Sequence, residues 1–172
     1  MAVAQFEVLT GERLRLRPVT EADYALYASL YGDNNILRYI GPALEEQALQ
    51  KSFEIALRLS HKTPCKRSFL VAELIDATDC AGILGLTVTE ADKIIEVGII
   101  FREAFQKQHL AYEALQILIT FLCDKYTEYD IIAQVDSANR AAVWLAKKLG
   151  FRYNQQTGLF ELNKLNKPLR GK

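Results

Sequence analysis

The chain has little cysteine, no excess of charge and no long apolar run, and each absence closes off a class of function. Its three cysteines, Cys65, Cys80 and Cys123, lie far apart and form no CxxC pair. Neither a disulfide frame nor a zinc site is suggested, and no metal is expected. Cys123 falls in a long apolar helix pattern and is expected to be a buried thiol. The reduced cytoplasm is the expected home. Lysine plus arginine number 21, and aspartate plus glutamate also number 21. A zero net charge gives no electrostatic reason to expect nucleic acid or an anionic membrane as partner. The basic tail, with Lys164, Lys167, Arg170 and Lys172, reads as a solvated end. No window approaches the roughly 20 apolar residues of a membrane span. The opening MAVAQFEVLTGE has no cationic stretch followed by a long apolar one, so no signal peptide is expected. Repeats, low-complexity tracts and linkers are also missing. With 172 residues, half of them apolar, one domain covering 1–172 with a real core is expected.

What is present is a regular alternation of patterns. RLRLRPV, Arg13 to Val19, alternates apolar and cationic residues and reads as a half-exposed strand near an edge. Thr20 is placed to cap a helix, with Asp23 at the capping-box position, and the helix runs to about Tyr31. GDNN, Gly32 to Asn35, stops it, and Ile36 to Pro42 reads as an apolar loop of the kind that packs into a core or lines a site. A second helix is expected from about Pro42 to His61 and Lys62. His61 reads as a solvent-facing helix-end residue rather than a catalytic base. Three strands joined by short polar turns follow, Phe69–Ile75, Ala81–Thr89 and Ile94–Phe101, an antiparallel meander. A long helix comes next, then a strand at Asp130–Val135 that a crossover sets parallel to Ile94–Phe101. Ser137 or Asn139 caps another helix that ends at Gly150. A hairpin, Phe151–Asn154 and Leu159–Lys164, closes the chain. The order β α α β β β α β α β β defines an α+β fold, a mixed but predominantly antiparallel sheet flanked by helices.

The stretch from Glu96 to Leu122 organises the rest. A β-type run rich in Ile and Val meets a polar break at Arg102–Lys107. A helix then opens with Leu110, Ala111, Ala114, Leu115, Leu118, Phe121 and Leu122 on one face. The first N–H groups of a helix lack internal partners and sit at its positive end, so such a junction can hold a phosphate. A plain strand-to-helix connection is the competing reading.

With these residues in hand, the chain resembles the GNAT N-acetyltransferase superfamily, most closely the branch of ribosomal-protein and protein N-terminal acetyltransferases. LTGERLRLRPVTEAD, AGILGL, EVGIIF, YEAL and NRAAVWLAKKLGF carry the resemblance, in order and spacing, over nearly the whole chain. The resemblance implies the GNAT acyl-CoA N-acyltransferase fold, with acetyl-CoA held where the strands at Ile94–Phe101 and Asp130–Val135 splay apart. Backbone groups around Ile99, Ile100 and Phe101 would bind the pantetheine. The pyrophosphate would lie on the N–H groups of Gln106, Lys107, Gln108, His109, Leu110 and Ala111, which stand at the family phrase Gln/Arg-x-x-Gly-x-Gly/Ala. Asn139 keeps the asparagine of the late signature. Glu96 is the implied base, and Asn35 and Tyr39 are expected substrate contacts.

The departures are as informative. His109 replaces the middle glycine of the phosphate phrase, Ala142 stands at a serine position, and Ala146 stands where many members carry a tyrosine general acid. The His109 imidazole either points away or donates to phosphate and leaves binding intact, or crowds the cradle and weakens it. Tyr153 and Tyr112 are the nearest alternative acids, beside solvent; Tyr153 can instead be a hairpin aromatic packed on the sheet, and Glu96 a strand carboxylate paired with a neighbouring cation. Two functions stay open: transfer of an acetyl group from acetyl-CoA to a primary amine, on a protein N-terminus or a small molecule, and a catalytically degenerate GNAT-fold binding module. Exposed strand edges near the terminal hairpin make a homodimer an expectation.

Overall fold

The computed structural model describes residues 6–162. Eight strands form one sheet in the order β1-β2-β3-β4-β5-β6-β8-β7. They are β1 (Leu9–Thr10), β2 (Leu14–Pro18), β3 (Arg67–Leu74), β4 (Cys80–Thr89), β5 (Ile94–Phe101), β6 (Asp130–Ala133), β7 (Phe151–Asn154) and β8 (Leu159–Leu162). Five helices flank it: α1 (Tyr24–Tyr31), α2 (Asn34–Leu37), α3 (Glu46–Ser60), α4 (Leu110–Lys125) and α5 (Arg140–Lys148). All neighbouring strands run antiparallel except β5 and β6, which are parallel across the α4 crossover. The expected element order therefore holds, with β1 and α2 added. The end of the predicted Leu159–Lys164 strand and the basic tail lie outside the described residues.

The two sheet faces carry separate cores, because consecutive strand residues point to opposite sides. Leu70, Leu84, Leu86, Ile95 and Val97 face α4, whose Leu118, Ile119 and Leu122 are fully buried. Each such side chain contributes about 2 kcal/mol of burial. Phe69, Val71 and Ile83 face α1 and α3, meeting Tyr27, Leu30 and Phe53. Cys123 sits beside the α4 stripe rather than on it and is only half-buried; Cys65 is the buried thiol.

Three boundaries differ from expectation for visible reasons. Asp33 does not merely stop α1. Its carboxylate accepts from the N–H groups of Asn35 and Ile36 and starts α2 within the stretch that reads as loop. The second long helix begins at Glu46, after an extended Glu45, rather than near Pro42. β6 stops at Ala133 because the chain peels away from β5 there. Asp23 accepts from the Thr20 N–H at 2.7 Å, as the capping pattern predicts, and is also the buried partner of Arg17 in a two-pronged pair at 2.8 Å. His61 lies exposed at the end of α3, its Nε2 3.1 Å from the Val19 carbonyl.

Candidate active site

The site starts from a failure of pairing. β5 pairs with β4 along its whole length, from Thr89↔Ile94 to Gly82↔Phe101. Its pairing with β6 covers only Ile94, Ile95 and Glu96, against Asp130, Ile131 and Ile132. From Ile132 onward, β6 lies against β8. Val97 to Phe101 is therefore a free edge on one side, and every second residue of it points N–H and C=O away from β4. A cleft of about 600 Å³ opens there, within the range of small-molecule sites. Gly98, Ile99 and Ile100 line it from β5, Gln134, Val135 and Asp136 from the departing chain, and Asn139, Ala142 and Ala146 from α5 and its cap.

The free edge runs into the α4 N-terminus through Arg102–His109. Gln106 donates from its side chain to the Phe101 carbonyl at 3.0 Å. Gln108 donates to the Ala104 carbonyl at 2.7 Å. Lys107 (φ 60°) and His109 (φ 61°) both adopt the left-handed conformation. His109 thus keeps the backbone shape that glycine would supply, although a non-glycine residue is disfavoured there. Its ring faces outward, against Trp144 at 6.4 Å. The Lys148 ammonium lies 4.7 Å from the Trp144 ring and 4.6 Å from that of Tyr112, so an aromatic and cationic rim stands beside the helix end. Arg13 fixes this loop from behind. It pairs with Glu113 at 2.7 Å and donates to the Gln108 carbonyl at 3.2 Å.

At the other end of the cleft stand Tyr31, Tyr39, Arg67, Thr87 and Glu96. Arg67 lies opposite Thr87, and Thr87 opposite Glu96, so the three form a row across β3, β4 and β5 on one face. Glu96 is exposed and, among the described residues, has no ion-pair partner, so the paired-carboxylate reading does not hold there. Burial pushes the Tyr31 hydroxyl pKa well up from its ordinary value.

Of the residues singled out from the sequence, Glu96, Ile99, Ile100, Asn139 and Tyr39 line the cleft. Phe101 ends β5, Gln106, Lys107, Gln108 and His109 form the turn beside the cleft, and Leu110 and Ala111 open α4. The Asn139 side-chain oxygen caps α5 by accepting from the Ala142 N–H at 3.1 Å. Two residues stand apart. Tyr153 is exposed on β7, packs on Phe160, and lines a different hollow with Arg152 and Glu161, because β8 lies between its strand and β6. Asn35 is exposed on α2 and is not part of the cleft lining. Arg67, Thr87 and Tyr31 are the residues that sequence reasoning passes over. Tyr31 reads as helix stripe, and the Arg67–Thr87–Glu96 row exists only once strand register is known. Among the described residues no cluster of His, Cys, Asp or Glu is arranged to hold a metal. Among them, too, no helix is long and apolar enough to cross a membrane.

A mixed sheet parted beside a left-handed turn and a helix N-terminus is the architecture of an acyl-CoA-dependent acyltransferase. The family model for the acetyltransferase (GNAT) domain matches residues 13–152. The chain belongs to the GNAT acetyltransferase family, whose members transfer acetyl groups from acetyl-CoA. Solved structures similar in fold include a spermidine N-acetyltransferase from Vibrio cholerae in complex with CoA and spermine. It has a TM-score of 0.74 and 19% identity over 84% of this chain and 83% of that one. A ribosomal L7/L12 alpha-N-protein acetyltransferase, RimL, gives a TM-score of 0.76 and 16% identity over 90% and 93%. A GNAT-family acetyltransferase from Bacillus anthracis gives 0.74 and 18% over 86% and 85%. At these identities the likeness is one of fold. No curated protein sequence matches the chain.

Proposed function

We propose that this protein transfers an acetyl group from acetyl-CoA to the primary amine of an acceptor, a protein N-terminus or a small molecule. The observation that carries the reading is the end of β5–β6 pairing at Glu96, which puts a free strand edge, an open helix end and an unpaired carboxylate along one cleft. The fit to the co-substrate rests on the chain's own groups. The free edge at Val97–Phe101 offers donors and acceptors to an amide-bearing arm such as pantetheine. The α4 N-terminus and the two left-handed residues before it aim N–H groups outward for a pyrophosphate. The Asn139 NH₂ supports the same ligand. The His109 backbone already holds the glycine-like shape, which favours the reading in which binding survives the substitution. Bound acetyl-CoA supplies the activated acetyl group.

The chain's residues then have distinct tasks. Glu96 accepts the proton of the acceptor ammonium, directly or through water, and frees the lone pair. An N–H of the β5 edge donates to the oxygen on which negative charge develops. Tyr39, from the turn after α2, contacts the acceptor. Ala146 has no hydroxyl, Tyr153 lies in another hollow and Tyr112 stands on the rim beside Lys148 rather than in the cleft lining, so solvent returns the proton to the leaving group. Cytoplasmic location and homodimer formation through the outer β7 edge belong to the same proposal. The thiols Cys65, Cys80 and Cys123, not bridged to one another, support the first, and the position of β7 at the end of the sheet supports the second.

Ala142 and Ala146 in the cleft favour a second reading, a GNAT fold that binds its ligands without transfer. Radiolabelled acetyl transfer to a panel of amines and peptides separates the two. Saturable incorporation into an amine supports the enzyme. Tight acetyl-CoA binding with no incorporation supports the binding module.

A further inference from the structure

Building on the transferase reading, we propose that the acceptor carries an anion as well as its amine: an amino-acid-like molecule or a peptide N-terminus with an acidic neighbour, not a polyamine. The row across three strands is the basis. Arg67, Thr87 and Glu96 lie directly opposite one another on β3, β4 and β5, so their side chains rise from the same face. Neighbouring strands are about 4.8 Å apart, which sets Arg67 and Glu96 about 10 Å apart at the backbone, with the small Thr87 between them. All three line the cleft, as do Tyr31 and Tyr39. The arginines of the neighbouring strand β2 are engaged: Arg15 and Arg17 with Glu73, and Arg17 also with Asp23. Arg67 has no ion pair among the described residues. Its guanidinium lies over the Phe69 ring at 5.2 Å, which fixes its plane and leaves its N–H fork available. Glu96 is likewise unpaired.

At the acceptor end the three-strand row presents one cation and one anion, held apart and not joined to each other, and matches a ligand of opposite polarity; Asp136, the other carboxylate of the lining, stands on the chain after β6 and accepts from the Ala138 N–H. The ammonium goes to Glu96, where it must lose its proton, and a carboxylate goes to the Arg67 fork. A dicationic amine would set its second charge against Arg67, and like charge there excludes it.

The test measures binding and transfer in parallel. Thermal unfolding of the protein saturated with CoA is followed with matched pairs: glycylglycine against glycylglycinamide, Ala-Asp-Ala-amide against Ala-Asn-Ala-amide, and 1,4-diaminobutane. Initial rates of acetyl transfer are taken on the same panel. The wild type is expected to bind the acidic member of at least one pair tenfold or more tightly. Preference in the dipeptide pair assigns the anion to a terminal carboxylate, and preference in the tripeptide pair to an acidic side chain. Arg67→Gln removes the preference, Arg67→Glu moves it toward the diamine, and Arg67→Lys keeps most of it. Acetyl-CoA binding stays unchanged and ligand-free stability changes only slightly, because Arg67 is exposed and its contact with the Phe69 ring is the one it gives up. Equal binding of acid and amide in both pairs overturns the proposal. Binding of no panel member, or a preference that survives Arg67→Gln, also overturns it. Efficient transfer to the diamine by the wild type overturns it and leaves the transferase reading standing. Discrimination without transfer sustains it and removes that reading.

Discussion

The two halves of β5 differ in a way that explains the cleft. Ile94 to Glu96 is paired on both sides, and Val97 to Phe101 on one only. In the first half the backbone is satisfied by neighbouring strands, so only side chains remain to act, and the proposed function assigns that part to Glu96 and its row. In the second half the backbone itself is available, and side chain identity matters less. The same division separates Glu96 from His109. A carboxylate cannot be replaced in its task, whereas a turn can keep its shape with an unfavoured residue in it. On the proposed reading, side-chain chemistry therefore belongs to the acceptor end and backbone chemistry to the co-substrate end.

Substitutions at the two ends sharpen the contrast. Glu96→Gln is expected to have the largest effect, lowering kcat about 10²–10⁴-fold while acetyl-CoA binding and melting temperature hold, because the carboxylate is exposed and unpaired. Steady-state kinetics beside a binding titration checks it, and an equal loss of co-substrate binding would erase the division.

Next in size comes the support of the α1 face. Asp23 is buried, which alone would raise its pKa, but the Arg17 guanidinium and the Thr20 N–H and hydroxyl hold it below the usual carboxylate range. Asp23→Ala leaves half-buried Arg17 with Glu73 as its remaining ion-pair partner and costs about 2–3 kcal/mol in denaturant unfolding. Because the folded pKa is depressed, this stabilisation is full above the unfolded value of about 4 and is lost as pH falls through the folded one. The wild type should therefore lose stability below about pH 4 more steeply than Asp23→Ala, as parallel melting curves against pH would show.

Gly82→Ala strikes the backbone end. A Cβ at Gly82, opposite Phe101, meets the Ile100 carbonyl and the Phe101 backbone and ring. It should cost about 1–3 kcal/mol and weaken acetyl-CoA binding, because it displaces the free edge. A loss of stability with binding intact would count against that edge as the binding surface. Smallest is His109→Gly, which relieves a left-handed residue. It should raise stability by about 1 kcal/mol in denaturant unfolding and leave binding unchanged or improved a few-fold. Weaker binding would show that the imidazole itself holds the ligand.

Much of this was legible in the chain. Period-two runs and short polar turns defined the β3–β4–β5 meander, and the apolar stripe of α4 fixed the crossover that makes β6 parallel. Ile99, Ile100 and Asn139 reached the cleft because motif and local structure agree there. Tyr153 and Asn35 did not, and the cause is topological. The insertion of β8 between β6 and β7 carries Tyr153 outward, and Asp33 starts a helix that turns Asn35 to solvent. Arg67 was illegible because its meaning depends on register between strands 20 and 29 residues away, which no local pattern encodes.

The claim that a free β5 edge and the α4 N-terminus hold the co-substrate is tested most directly by thermal unfolding with and without acetyl-CoA. Trp144 fluorescence can be followed in the same sample, since it is the only tryptophan and stands at that helix end, 53% exposed. At about 100 times the dissociation constant, acetyl-CoA should add about 2.7 kcal/mol, a rise of roughly 5–10 °C for a domain of this size. A saturable rise of that order, with a matching fluorescence change, is the predicted result. An unchanged melting temperature at millimolar acetyl-CoA would contradict the account.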